Sequence, residues 1–62
     1  MRIGQKVLVP LRGLTVEAII IDDCFRQTEN VCTMLVKFVD NPNLELEINV
    51  EDVKPHGQDI QG

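Results

Sequence analysis

Between Thr15 and Val39 the chain carries two runs patterned for β-strands, separated by a polar stretch. Residues 15–22 include Thr15, Val16, Ile19, Ile20 and Ile21. Such β-branched side chains are stiff at χ1 and pack well on a pleated surface. Residues 31–39 place Cys32, Met34, Val36 and Phe38 at even positions, with Thr33 and Lys37 between them. That is the period of a strand with one buried face. A helix over 31–39 is the weaker reading. The segment is rich in β-branched residues, lacks caps and runs into the break Asp40-Asn41-Pro42-Asn43.

The pattern also predicts a register. If Cys24 faces Cys32, then Asp22 faces Met34, Ile20 faces Val36 and Ala18 faces Phe38. A small residue then meets the large ring; a slip of one residue turns Val36 and Phe38 to the wrong side, whereas a slip of two keeps the faces and stays open. Downstream, Leu44, Leu46, Ile48 and Val50 alternate with Glu45, Glu47 and Asn49. This strand pairs back around the Asn-Pro-Asn turn, with Phe38 meeting Leu44, Val36 meeting Leu46 and Met34 meeting Ile48. Phe38 and Ile48 are therefore expected in the core.

The remaining elements are short. Lys6-Val7-Leu8-Val9 reads as a strand stopped by Pro10, which has no N–H for a central ladder. Gly13 is free to take a positive φ in the connection that follows. Residues 50–53 fit one turn of 3-10 helix that drops Val53 onto the core. Lys54-Pro55 forms a last short strand. Residues 1–55 are expected to make one domain, and 56–62, with little to bury, a flexible tail. A chain of 62 residues buries only about 60% of its unfolded surface. No apolar run approaches the length of a membrane span, and Met-Arg-Ile-Gly-Gln lacks the apolar core of a signal peptide. A small acidic, soluble cytoplasmic protein is the expectation.

Four to five short antiparallel strands with one 3-10 turn near the C-terminus predict an all-β fold, a small bent barrel. The succession Gly4-Gln5-Lys6-Val7, Glu17-Ala18-Ile19-Ile20, Val36-Lys37-Phe38-Val39-Asp40, Leu46-Glu47-Ile48 and Val50-Glu51-Asp52-Val53-Lys54-Pro55 resembles the SH3-like small barrels of Tudor and KOW type, over about residues 3–55. The resemblance implies a fold first. It also implies two kinds of ligand. Tudor-type readers of methylated lysine or arginine hold the cation in an aromatic cage. This chain has no Trp, no Tyr and two Phe, so it cannot build one. KOW-type barrels bind nucleic acid or protein.

Charge separates those last two. The formal net charge is −4. Residues 1–30 balance Arg2, Lys6, Arg12 and Arg26 against Glu17, Asp22, Asp23 and Glu29, so the excess acid lies in the second half. An acidic surface repels a phosphate backbone. The expected function is a non-catalytic protein-interaction module, or a small accessory subunit of a bacterial or phage assembly. Its protein partner meets the hairpin tip at Phe25, Arg26 and Gln27, an aromatic and an arginine in an otherwise polar loop over 23–30. The competing reading of Phe25 is a cap folded over the open end of the barrel. The alternative function is a nucleic-acid-associated barrel using Arg2, Lys6, Arg12 and Arg26 as a local basic edge. A homo-oligomer stays open.

Other residues read as structural. Cys24 and Cys32 do not make a CxxC pair, and only His56 could join them around zinc. They are expected as small buried residues, although the register would also allow a disulfide. Glu45, Glu47, Glu51 and Asp52 read as a solvated face that discourages edge pairing. His56 reads as an exposed surface histidine. No cofactor and no bound metal are expected. An enzyme is not expected either. The plasmid-borne type II dihydrofolate reductases are SH3-like barrels with a late Val-Gln-Ile-Tyr stretch. Here Leu46-Glu47-Ile48-Asn49 stands in that place, and its carboxylate would repel anionic folate and dinucleotide.

Overall fold

The computed structural model describes residues 2–56. The strands are β1 (Lys6–Leu11), β2 (Leu14–Gln27), β3 (Cys32–Phe38), β4 (Glu45–Asn49) and β5 (Lys54–Pro55), with a 3-10 turn over Val50–Asp52 before β5. They form one antiparallel sheet in the order β4-β3-β2-β1-β5. The fold is all-β, as the alternation requires. The ladder runs from β4 to β5 and does not close on itself. The two edge strands are short, with five and two residues.

The 14-residue β2 is the spine of the sheet. Its first part pairs with β1, from Leu11 opposite Leu14 to Lys6 opposite Ile19. Its later part pairs with β3, from Ala18 opposite Phe38 to Gln27 opposite Cys32. Only the stretch around Ala18 and Ile19 is paired on both sides, so the sheet folds over there. Ala18, Ile20, Val7, Val9, Met34, Val36, Ile48 and Val53 then meet in one core. Val16, Phe38, Leu46 and Val50 pack partly buried against it.

The register agrees with the alternation near the core. Ala18 faces Phe38, Ile20 faces Val36, Val36 faces Leu46 and Met34 faces Ile48. It departs from it toward the tip. Asp22 lies opposite Leu35, not Met34, and Cys32 lies opposite Gln27, not Cys24. Two irregularities in β2 cause this, one between Ile20 and Asp22 and one between Asp22 and Arg26. Each feeds extra residues into β2 that β3 does not match, as a bulge does. The side chain of Asp22 helps to hold the second one. Its Oδ1 accepts the Cys24 amide at 3.1 Å, a local acceptor in place of the neighbouring strand.

The turns obey residue chemistry. Arg12 and Gly13 both have positive φ, 52° and 82°, the signature of a two-residue type I′ hairpin. Gly13 adopts this freely, while Arg12 bears the steric cost of a left-handed L-residue. Arg12→Asn is expected to raise the melting temperature by about 3 °C, from a gain of about 0.5 kcal/mol. A scanning calorimetry trace that moves down instead would rule out this turn type. At the other turn, the Asn41 amide donates to the Phe38 carbonyl at 3.3 Å and the Leu44 amide to the Asn41 carbonyl at 2.9 Å. The Leu44 carbonyl accepts the Phe38 amide at 3.3 Å, so Phe38 meets Leu44 as the register predicts. Leu44 is exposed rather than core-facing.

His56 follows β5 directly and is fastened to the sheet. Its amide donates to the Lys6 carbonyl at 3.4 Å, and its Nε2 lies 2.6 Å from Glu17 Oε2. The rest of the expected tail, 57–62, falls outside the described residues.

Candidate functional site

Two ends of the sheet present features of different kinds. At one end sit the β1–β2 and β3–β4 turns, and there the Val39 amide, just past β3, donates to the Glu17 carbonyl of β2 at 3.2 Å. At the other sit the tip of the β2–β3 hairpin and the 3-10 turn.

The turn end carries an apolar groove. Leu11, Val16, Phe38 and Leu44 line a hollow of about 200 Å³, with Glu17, Asp40 and Asn41 at its border. Leu14, paired with Leu11 across the hairpin, is also exposed. Phe38, expected in the core, is only partly buried because its outer part lines this hollow. Small-molecule sites commonly span roughly 300–1,000 Å³. The hollow is below that range and suits one inserted side chain. Apolar surface gathered at one place is a contact site more often than isolated exposed leucines are. It has no direct signal in the sequence, since Leu11 follows the strand-stopping Pro10 and Leu44 starts an alternating run.

The hairpin tip differs from the expected loop. Bulging extends β2 through Gln27, so Phe25, Arg26 and Gln27 are strand residues and the connection is only 28–31. That connection is tied internally. The Thr28 amide donates to the Val31 carbonyl at 2.7 Å, and the Val31 amide donates to Thr28 Oγ1 at 3.2 Å. Phe25 is 41% exposed and stands outside the core cluster, so it does not cap the sheet. The Arg26 guanidinium lies 5.6 Å from the centre of the Phe25 ring. Arg26 Nε also meets Glu47 Oε2 at 3.1 Å. Gln27 Oε1 accepts from the Cys24 thiol at 3.6 Å.

The four basic residues do not share one edge. Arg2 precedes β1 with its amide donating to Gln5 Oε1 at 3.0 Å. Lys6 opens β1, Arg12 lies in the turn at the groove end, and Arg26 lies at the opposite end of β2. The acids are divided too, with Glu45 and Glu47 on β4 and Glu51 and Asp52 in the 3-10 turn. Among the described residues, no three His, Cys, Asp or Glu side chains converge as metal ligands.

The thiols are not core residues. Cys24 is exposed and Cys32 half-buried, with the two sulfurs 3.9 Å apart. The irregular stretch of β2 takes Cys24 out of the inward alternation on which its burial was expected. The Cys24 thiol is pushed above its ordinary range. The hydrogen bond with the Cys32 thiol is the main cause, followed by charge repulsion from Cys32, with desolvation, Asp23 and Asp22 adding to it.

Glu47 has a role the alternation did not reveal. Thr33 Oγ1 donates to Glu47 Oε2 at 2.8 Å, the same oxygen that meets Arg26. One carboxylate on β4 thus links side chains of β3 and β2.

Comparison with known protein families, curated proteins and solved structures finds no match.

Proposed function

We propose that this chain is a non-catalytic protein-interaction module, a small accessory subunit whose partner inserts an apolar side chain into the groove at the turn end. The observation that carries the reading is the groove itself, with Leu11, Val16, Phe38 and Leu44 around a hollow of about 200 Å³. Glu17 and Asp40 border it, and the chain is acidic as a whole. A partner segment with a leucine-like anchor beside lysine or arginine fits both properties. The strand order and closing 3-10 turn support a small-barrel module of the Tudor or KOW type, a class that works by contact. The dispersed basic residues and the net charge of −4 weaken the nucleic-acid reading.

Phe25, Arg26 and Gln27 offer a second contact surface. Arg26 is engaged by Glu47 and Phe25, so a partner must compete for it. At the groove the apolar pocket is open to an anchor, and only Glu17, paired with His56, would have to exchange its contact.

A library of random peptides selected on the immobilised protein tests the reading. Enriched peptides are expected to carry an apolar residue next to lysine or arginine. Leu44→Glu, at an exposed position, is expected to weaken their binding at least about tenfold, near 1.4 kcal/mol, while Phe25→Ala leaves it unchanged. Loss in Phe25→Ala with full binding in Leu44→Glu would move the site to the hairpin tip.

A further inference from the structure

We propose that Cys24 and Cys32 form a dithiol–disulfide site, which a low-molecular-weight disulfide of the glutathione type converts into an intramolecular bridge across the hairpin tip. The inference is independent of the groove and rests on how the bulged strand places the two sulfurs.

Neither residue is opposite the other in the ladder, since Cys32 faces Gln27. Their sulfurs nevertheless lie 3.9 Å apart. A disulfide needs about 2.05 Å between sulfurs, so each side must give by roughly 1 Å. The structure offers that freedom. Cys24 is exposed, so its side chain can turn without displacing packed neighbours. It also falls in the stretch between Asp22 and Arg26 where β2 and β3 lose step. Its amide is held by Asp22 Oδ1, so adjusting it need not break a cross-strand bond.

The exchange balances with the named reagent. The exposed Cys24 sulfur, once deprotonated, attacks one sulfur of the small disulfide. A Cys24–reagent S–S bond forms, the reagent's own S–S bond breaks, and one thiolate leaves. Cys32 then loses its proton and attacks Cys24 Sγ. The protein S–S bond forms, the mixed bond breaks, and the second thiolate leaves. The protein gives up two electrons and two protons, which appear as two reduced small thiols. Attack needs a thiolate, so the exchange speeds up as the pH rises.

The bridge would close a loop between residues eight apart in sequence that contains Phe25, Arg26 and the turn 28–31. A crosslink of this span limits the unfolded chain and fixes the tip in the folded one.

The test is equilibration of the whole protein with oxidised glutathione at pH 8, followed by intact mass and thermal melting without reductant. The expected product is monomeric, lighter by about 2 Da, and melts about 10 °C higher than the reduced protein. Cys24→Ser is expected to take one glutathione on Cys32 and to show no such rise. Stable adducts on both cysteines, a disulfide-linked dimer, no reaction, or an internal bridge with an unchanged or lower melting temperature would each overturn the proposal. The first two show that the sulfurs cannot reach each other. The last shows that they do so only by distorting the fold.

Discussion

Ile20→Ala is expected to leave the chain without a cooperative thermal transition at 25 °C and above. Ile20 has no solvent exposure and sits opposite Val36, beside the point where β2 turns from β1 to β3. Removing an isoleucine side chain from such a site costs about 2–5 kcal/mol, because the transfer energy is lost and a cavity is left. A single core in a domain of this size rarely provides more than about 3–5 kcal/mol in total. The two numbers are comparable, so one substitution can cancel the stability of the whole fold. Relaxation around the site offers little relief, since neighbouring Val7, Val36 and Met34 belong to the same small cluster. Phe38→Ala is the informative contrast. Its ring is larger, but it is only partly buried and borders the groove. It is expected to lower the melting temperature and keep a measurable transition. Circular dichroism melts of the two variants compare them directly. An Ile20→Ala protein melting like wild type would remove the central pairing of β2 and β3.

The parts of this fold legible in the sequence are those with a strict period. Met34, Val36 and Phe38 against Leu46 and Ile48 leave little choice of register, because a slip of one residue exposes the entire set. Gly13 and the Asn-Pro-Asn segment mark turns through their backbone preferences. The bulges were not legible. An extra residue in a strand leaves no composition signal, and the Asp22 carboxylate that caps the Cys24 amide looks in sequence like any surface acid. From these two irregularities follow the longer β2, the short 28–31 connection, the outward Cys24 and the strand position of Phe25. The groove was hidden for a related reason. Leu44 continues the alternation of β4 on paper, yet its amide is taken by the turn at Asn41. Its side chain is exposed at the start of the strand.

Glu47 shows how a residue with an ordinary outward position acquires a structural role, and its replacement is the second substitution with a large expected effect. Its Oε2 receives the Thr33 hydroxyl at 2.8 Å and Arg26 Nε at 3.1 Å. The two contacts differ in worth. Thr33 is buried, with 9% exposure, and a hydrogen bond to a charged acceptor contributes about 1.5–3 kcal/mol when shielded. The Arg26 and Glu47 side chains are 68% and 33% exposed, and surface ion pairs commonly contribute only about 0–1 kcal/mol. The Thr33 carbonyl-side alternative limits the loss. Its hydroxyl can turn to the Arg26 carbonyl oxygen at 3.4 Å, so Glu47→Ala does not leave a buried hydroxyl without an acceptor. The expected cost of Glu47→Ala is about 1–2 kcal/mol, nearly all of it through Thr33. A double-mutant cycle separates the partners. Thr33→Val with Glu47→Ala is expected to show a coupling of about 1 kcal/mol that survives high salt. Arg26→Ala with Glu47→Ala is expected to show less than about 0.5 kcal/mol, disappearing as salt screens the exposed charges. Denaturant melts of the six proteins supply every term. A coupling through Arg26 larger than that through Thr33 would mean that the ion pair, not the buried hydroxyl, joins β4 to the rest of the sheet.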